Sequence, residues 1–111
     1  MPPAKQLSRA DEILMLCILV LDDDAYSTTI RGELARRAKK KITVGSLWVS
    51  LDQLADRGYI RKKAAKNEHR HGGRPRIYYR LTPRGVRALE RAREYQKALW
   101  KGVPELDSYT P

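Results

Sequence analysis

The stretch TVGSLWVSLDQLADRGYIRKKAAKNEHRHGGRPRIYYRLT, residues 43–82, decides how the rest of the chain is read. In its first third Leu47, Leu51 and Leu54 fall at i, i+4 and i+7, which gives a helix one apolar face. Gly58 follows as a stop, because glycine takes the left-handed conformation that closes helices at little steric cost. Two short β-like runs come next, Tyr59-Ile60-Arg61 and Ile77-Tyr78-Tyr79-Arg80-Leu81, separated by a polar, cationic loop containing Gly72-Gly73. In the second run Ile77, Tyr79 and Leu81 alternate with Arg76, Tyr78 and Arg80, so one face packs and the other meets solvent or a ligand.

Charge says what that ligand is. Residues 57–87 hold eleven Lys or Arg against one acid, Glu68, an excess of ten that equals the net charge of the whole chain. The remaining residues carry twelve basic and twelve acidic groups and sum to zero. A surface tuned for solubility intersperses its signs, whereas a segregated excess repels itself. Such segregation makes physical sense where a polyanion lies against the hairpin. Helix, strand, long basic hairpin, strand is the order of a winged helix. The expected fold is therefore mostly α with a small β-hairpin, a winged helix-turn-helix flanked by N- and C-terminal dimerisation helices.

At 111 residues the chain has room for one domain with its own core. With no Phe and two Trp, that core is expected to be Leu, Ile, Val and Ala. The single cysteine, Cys17, sits in an apolar run and reads as a buried small hydrophobe. That run, residues 13–21, is nine residues long, far short of the roughly 18–20 that cross a bilayer. It has acids on both sides, which is wrong for a signal peptide, so a cytoplasmic protein without a membrane partner is expected.

Along the chain, residues 1–7 read as a flexible arm. Ser8 caps a helix with Asp11 and Glu12 in its first turn. This helix is apolar all round, so one side meets the domain's own core and the other calls for a second copy of the chain. The alternative is a helix buried within the monomer. Asp22-Asp23-Asp24 reads as a helix-ending turn rather than a metal site. Ser27 or Thr28 is expected to cap a second helix near residues 29–39, with Ile30, Leu34 and Ala38 on one face. Lys39, Lys40 and Lys41 suit its negative pole or a phosphate backbone. Ile42 is expected to form a one-residue strand stub.

Thr43 caps the third helix and stands with Gly45, Ser46, Trp48 and Val49 near its exposed N-terminal end. A helix of this kind enters the major groove of DNA with those residues against base edges. None of them makes a strong bidentate base contact, so modest direct readout aided by DNA shape is expected. The wing, about residues 61–80, adds Arg70, Arg74, Arg76 and Tyr78 as backbone or minor-groove contacts. His69 and His71 are too few to hold a metal, and no metal or cofactor is expected. Thr82-Pro83 opens a last helix that should run to about residue 101, where Gly102 and Pro104 stop it. Its stripe of Leu89, Ala92, Tyr95 and Leu99, with Gln96 as an alternative to Tyr95, would pair with Leu14 and Ile18 of the first helix in a homodimer; the alternative is a clasp within the monomer. The winged-helix domain then spans residues 8–81 and the dimerisation helix residues 82–102, with residues 103–111 as a frayed tail.

The run Gly45-Ser46-Leu47-Trp48-Val49-Ser50-Leu51, then Leu54, Gly58-Tyr59-Ile60, Gly73-Arg74-Pro75-Arg76-Ile77-Tyr78-Tyr79-Arg80-Leu81-Thr82 and Gly85, resembles the PadR family of transcriptional regulators. Asp24-Ala25-Tyr26 and Ile30-Arg31 look like that family's second-helix start, and the resemblance covers about residues 8–101. It implies a homodimeric winged-helix repressor that dimerises through its first and last helices, in the subclass with a single C-terminal helix. Some members respond to small aromatic molecules, which would make Trp100 a candidate effector wall; a packing tryptophan is the bland alternative. Two departures stand out. Trp48 replaces the usual tyrosine, exchanging a phenol hydroxyl for an indole N–H that only donates. Val49-Ser50 replaces a common proline-containing pair, which leaves the start and bend of the helix open.

The expected function is a sequence-specific, DNA-binding transcriptional regulator acting as a homodimeric repressor on a double-stranded operator. The competing reading is a basic nucleoprotein or RNA-binding winged helix without operator specificity. An enzyme is not expected, since the chain offers no nucleophile–base pair, phosphate-cradling glycine loop or metal set.

Overall fold

The computed structural model describes residues 6–65 and 76–111. Among them four helices and one hairpin follow in the order α1 (Arg9–Leu21), α2 (Ser27–Ala38), α3 (Val44–Asp56), β1 (Ile60–Ala64), β2 (Ile77–Leu81) and α4 (Pro83–Trp100). Single 3-10 turns occupy Asp22–Asp24 and Leu106–Ser108. Three helices begin where the sequence offers a hydroxyl. Ser8 accepts from the Asp11 N–H at 3.1 Å, Thr43 from the Ser46 N–H at 3.1 Å and Thr82 from the Gly85 N–H at 3.0 Å.

The start of α2 differs from expectation. Its cap is Tyr26, not Ser27 or Thr28, because Thr29 reaches back. The Thr29 hydroxyl accepts from the Tyr26 N–H at 3.0 Å and donates to the Asp24 carbonyl at 2.6 Å, which fixes the turn one residue earlier. Ile42 forms no strand; it lies half-buried between α2 and α3, and its carbonyl accepts from Arg31 Nε at 3.0 Å. The helix α3 runs unbroken from Val44.

Leucines of three helices converge on one core. Leu34 of α2 and Leu47, Leu51 and Leu54 of α3 pack with Leu14, Met15, Cys17 and Ile18 of α1 and with Tyr59, Ile60, Tyr79 and Leu81 of the hairpin. Burial pushes the Cys17 thiol up from its ordinary range, with the Glu33 carboxylate adding to the rise, so it is an inert packing group. Glu33 is itself buried but satisfied, held by Arg36 and, at 2.9 Å, by Arg37 Nε. Burial raises its carboxyl, yet the two guanidiniums outweigh that and leave it below the ordinary range.

The apolar girdle of α1 is divided unequally, and this corrects the expected dimer face. Leu14 and Ile18 are 4% and 1% exposed within the single chain, so they are spent on its own core. The side left open carries Leu16, Leu19 and Val20. On α4, Leu89 and Ala92 are likewise buried, whereas Val86, Tyr95, Leu99 and Trp100 are exposed. The helical period explains the shift: α1 leans on the core through residues 14, 15, 17 and 18, which leaves 16, 19 and 20 facing out.

The hairpin pairs antiparallel with Ile60 opposite Leu81, Lys62 opposite Tyr79 and Ala64 opposite Ile77. Ile60, Tyr79 and Leu81 are buried, but Ile77 is exposed where the ribbon leaves the body, so the expected packed face ends at Tyr79. Gly58 has φ +78° and closes α3 as expected. Gly85 serves a different purpose: a Cβ there would sit 2.1 Å from the Tyr59 carbonyl oxygen, so only glycine lets α4 lie this close to the hairpin's root. The last helix ends at Trp100, and Gly102 takes φ +77°.

Candidate nucleic-acid interface

On α3 the buried leucines leave Gly45, Ser46, Trp48 and Val49 on the outside, with Trp48 51% and Val49 58% exposed. The two are adjacent, so together they form a small apolar patch on the outer side of the helix. Thr43 is also exposed, with its hydroxyl committed to the cap. One turn beyond Trp48, on the same face, stands Asp52, whose carboxylate pairs with the Lys62 ammonium of β1. That hydrogen bond raises the Lys62 pKa against a smaller opposing effect of burial.

The hairpin is anchored at its root. The Tyr79 N–H donates to the Ala25 carbonyl at 2.8 Å, tying β2 to the turn before α2. Tyr26 meets Tyr78 edge-on with ring centroids 5.5 Å apart, and the Arg76 guanidinium lies 4.5 Å from the Tyr26 ring centroid. Arg80 pairs with Asp22 at 3.2 Å, and Arg57 with Asp11 at 2.6 Å. The Arg57 and Arg84 guanidiniums flank the Tyr59 ring at 5.3 and 5.5 Å. The Tyr79 and Tyr78 contacts tie the ribbon to the start of α2, while its cations divide between two surfaces, Lys62 and Arg76 beside Trp48 of α3 and Arg61, Lys63 and Arg80 beside Asp22 and Asp23.

Between α3 and the ribbon runs an open groove of about 380 Å³, lined by Tyr26, Trp48, Asp52, Lys62, Arg76 and Tyr79 among others. The structure thus brings together Trp48, Tyr26 and Arg76 from separate parts of the sequence, while Tyr78, edge-on to Tyr26, lines a second hollow with Arg61, Lys63 and Arg80. Arg70, Arg74, His69 and His71 lie outside the described residues. Sequence reasoning missed Tyr26, Asp52 and Lys62 as members of this surface. Asp52 could have been found, since it falls at i+4 from Trp48 and i+3 from Val49. Lys62 could not, because its partner is set by hairpin register. Among the described residues no group of His, Cys, Asp and Glu could hold a metal ion, and no helix is long and apolar enough to cross a membrane.

Comparison with known proteins gives this surface its context. A PadR-like transcription factor from Bacteroides fragilis shares 26% identity, with a TM-score of 0.66 over 85% of this chain and 89% of that one. A PadR family transcriptional regulator from Eggerthella lenta is 25% identical, with a TM-score of 0.62 over 86% and 84%. A winged-helix DNA-binding protein from STIV, 21% identical, has the same fold at a TM-score of 0.62 over 87% and 98%. No functionally curated protein matches the chain in sequence. The family model described as the transcriptional regulator PadR-like family matches residues 15–91, which takes in the core, α3, the hairpin and the first half of α4. By that match the chain belongs to the PadR-like family, whose members are winged-helix transcriptional regulators and not enzymes.

Proposed function

We propose that this regulator is a homodimeric repressor that binds a specific operator, with α3 in the major groove and the two hairpins gripping the flanking backbone. One observation carries the reading: the exposed Trp48 of α3 and two cations of the ribbon, Lys62 and Arg76, border the same groove. The apolar stripe suits base edges and thymine methyl groups, and the cations suit phosphates.

The dimer reading rests on the opposite side. Leu16 and Leu19 of α1 and Val86 and Leu89 of α4 line a second groove of about 380 Å³, with Glu12, Glu90 and Arg93 at its margins. With Val20, Tyr95 and Leu99 exposed beside it, this is an apolar patch that a second copy would bury. Trp100, more than half exposed at the end of α4, would then face its counterpart and is our candidate wall for a small aromatic effector. Quenching of its fluorescence by planar phenolic or cationic compounds, together with release of DNA, is the expected sign.

The central test is a fluorescence-anisotropy titration against genomic duplex, random duplex and structured RNA at several salt concentrations. If a dimer neutralises ~6–10 phosphates, affinity should fall about 10³–10⁵-fold between about 50 and 200 mM salt. A random-duplex selection should return one motif, altered in Ser46→Ala and Trp48→Ala. Equal affinity for all three nucleic acids, with no motif, would favour a non-specific nucleoprotein instead.

A further inference from the structure

The recognition helix has an unexpected charge. Across its 13 residues α3 holds two acids, Asp52 and Asp56, and no Lys or Arg, although it lies beside the most basic ribbon in the chain. A helix that only tracked phosphates would not carry a carboxylate on its exposed stripe, because phosphate repels it. Asp52 is nevertheless there, 58% exposed on its side chain, in the wall of the groove next to Trp48. Its partner is Lys62, which reaches it across the groove from the opposite wall.

We propose that Asp52 is a specificity-determining residue, which exchanges its ion pair with Lys62 for the exocyclic amino group of a cytosine when DNA enters the groove. This rests on the reading of α3 as the helix that enters the major groove. An ionised carboxylate can only accept hydrogen bonds, and in the major groove the cytosine amino group is the donor that suits it. The exchange also releases Lys62, whose ammonium then has a phosphate as its natural partner. On a duplex with no donor at that position the pair stays closed. The carboxylate then stands against the backbone, and Lys62 contributes nothing. One pair of side chains thus discourages unrelated DNA and rewards the correct base.

The test is selection from a random duplex library with the full-length protein and three variants, Asp52→Ala, Asp52→Asn and Lys62→Ala, after matching their thermal melting curves. Wild type should enrich a cytosine at one half-site position, preferred by about tenfold or more over other bases. Asp52→Ala should lose that preference and bind unrelated duplex more tightly, with the salt slope steeper by about 1 as Lys62 is freed. Asp52→Asn should shift the enriched base towards adenine, the base an Asn side chain reads. Lys62→Ala should keep the cytosine and lose about 1 from the salt slope. The same enriched base in wild type and Asp52→Ala, or loss of the cytosine in Lys62→Ala, overturns the proposal while leaving DNA binding intact. A wild-type protein without salt-sensitive affinity for any duplex overturns the DNA-binding reading itself, and this inference with it.

Discussion

Two faces of this small molecule differ in the physics by which they would hold a partner. Along α1 and α4 stand the exposed apolar side chains Leu16, Leu19, Val20, Val86, Tyr95 and Leu99, and attraction there would scale with the area buried. Along the hairpin the exposed groups are mainly cations, beside the short apolar stripe of α3, and attraction of a polyanion there would fall as salt rises. The difference teaches that the proposed self-association and DNA binding should respond to different substitutions and to salt in different ways. α4 meets the hairpin's root at one tight junction, Gly85 against the Tyr59 carbonyl.

Breaking that junction should have the largest effect. In Gly85→Ala the new Cβ would meet backbone that cannot step aside, and a loss of about 1–3 kcal/mol or more is expected in urea unfolding. Gly32→Ala is the control, since no atom lies within 4 Å of its Cβ position. That exposed helical site should gain roughly 0.5–1 kcal/mol. Equal effects from the two would show that α4 does not rest on the hairpin as described.

The apolar face comes next. Leu19→Asp puts a charge into the patch without touching the core, so the fold should survive while self-association weakens about 30-fold or more. Sedimentation equilibrium at high salt reads this directly, and an unchanged dimer would move the interface elsewhere. On the basic face Arg76→Ala should weaken binding to every duplex by a similar factor and lower the salt slope by about 1. A changed sequence preference in that variant, with the slope intact, would make Arg76 a base reader instead of a backbone contact.

Most of the fold could be read from the sequence because its signals are local. Ser8, Thr43 and Thr82 cap where a hydroxyl precedes a periodic run, and Gly58 stops α3. The Leu47, Leu51 and Leu54 face is buried as the spacing requires. The errors fall where the outcome depends on distant packing. A helix apolar all round gives no sign of which side the core will take, so Leu14 and Ile18 were expected outside and lie inside. Tyr26 displaced Ser27 as the cap because Thr29 found the Asp24 carbonyl, a contact no propensity scale contains. Of the surface itself, Trp48 and Val49 followed from helical spacing, whereas the Asp52–Lys62 pair depends on how the ribbon crosses α3.

The hydroxyl of Thr82 has a mechanical consequence. It accepts from the Gly85 N–H at 3.0 Å and donates to the Gly58 carbonyl at 2.6 Å, while the Thr82 N–H donates to the Tyr59 carbonyl at 3.0 Å. The near end of α4, the end of β2 and the segment leaving α3 are therefore pinned at a single residue. The rod that starts there is about 27 Å long for its 18 residues. Its first half is clamped as well, with Ala88, Leu89 and Ala92 buried, so only the stretch after Ala92 overhangs the domain and carries Tyr95, Leu99 and Trp100 into the open.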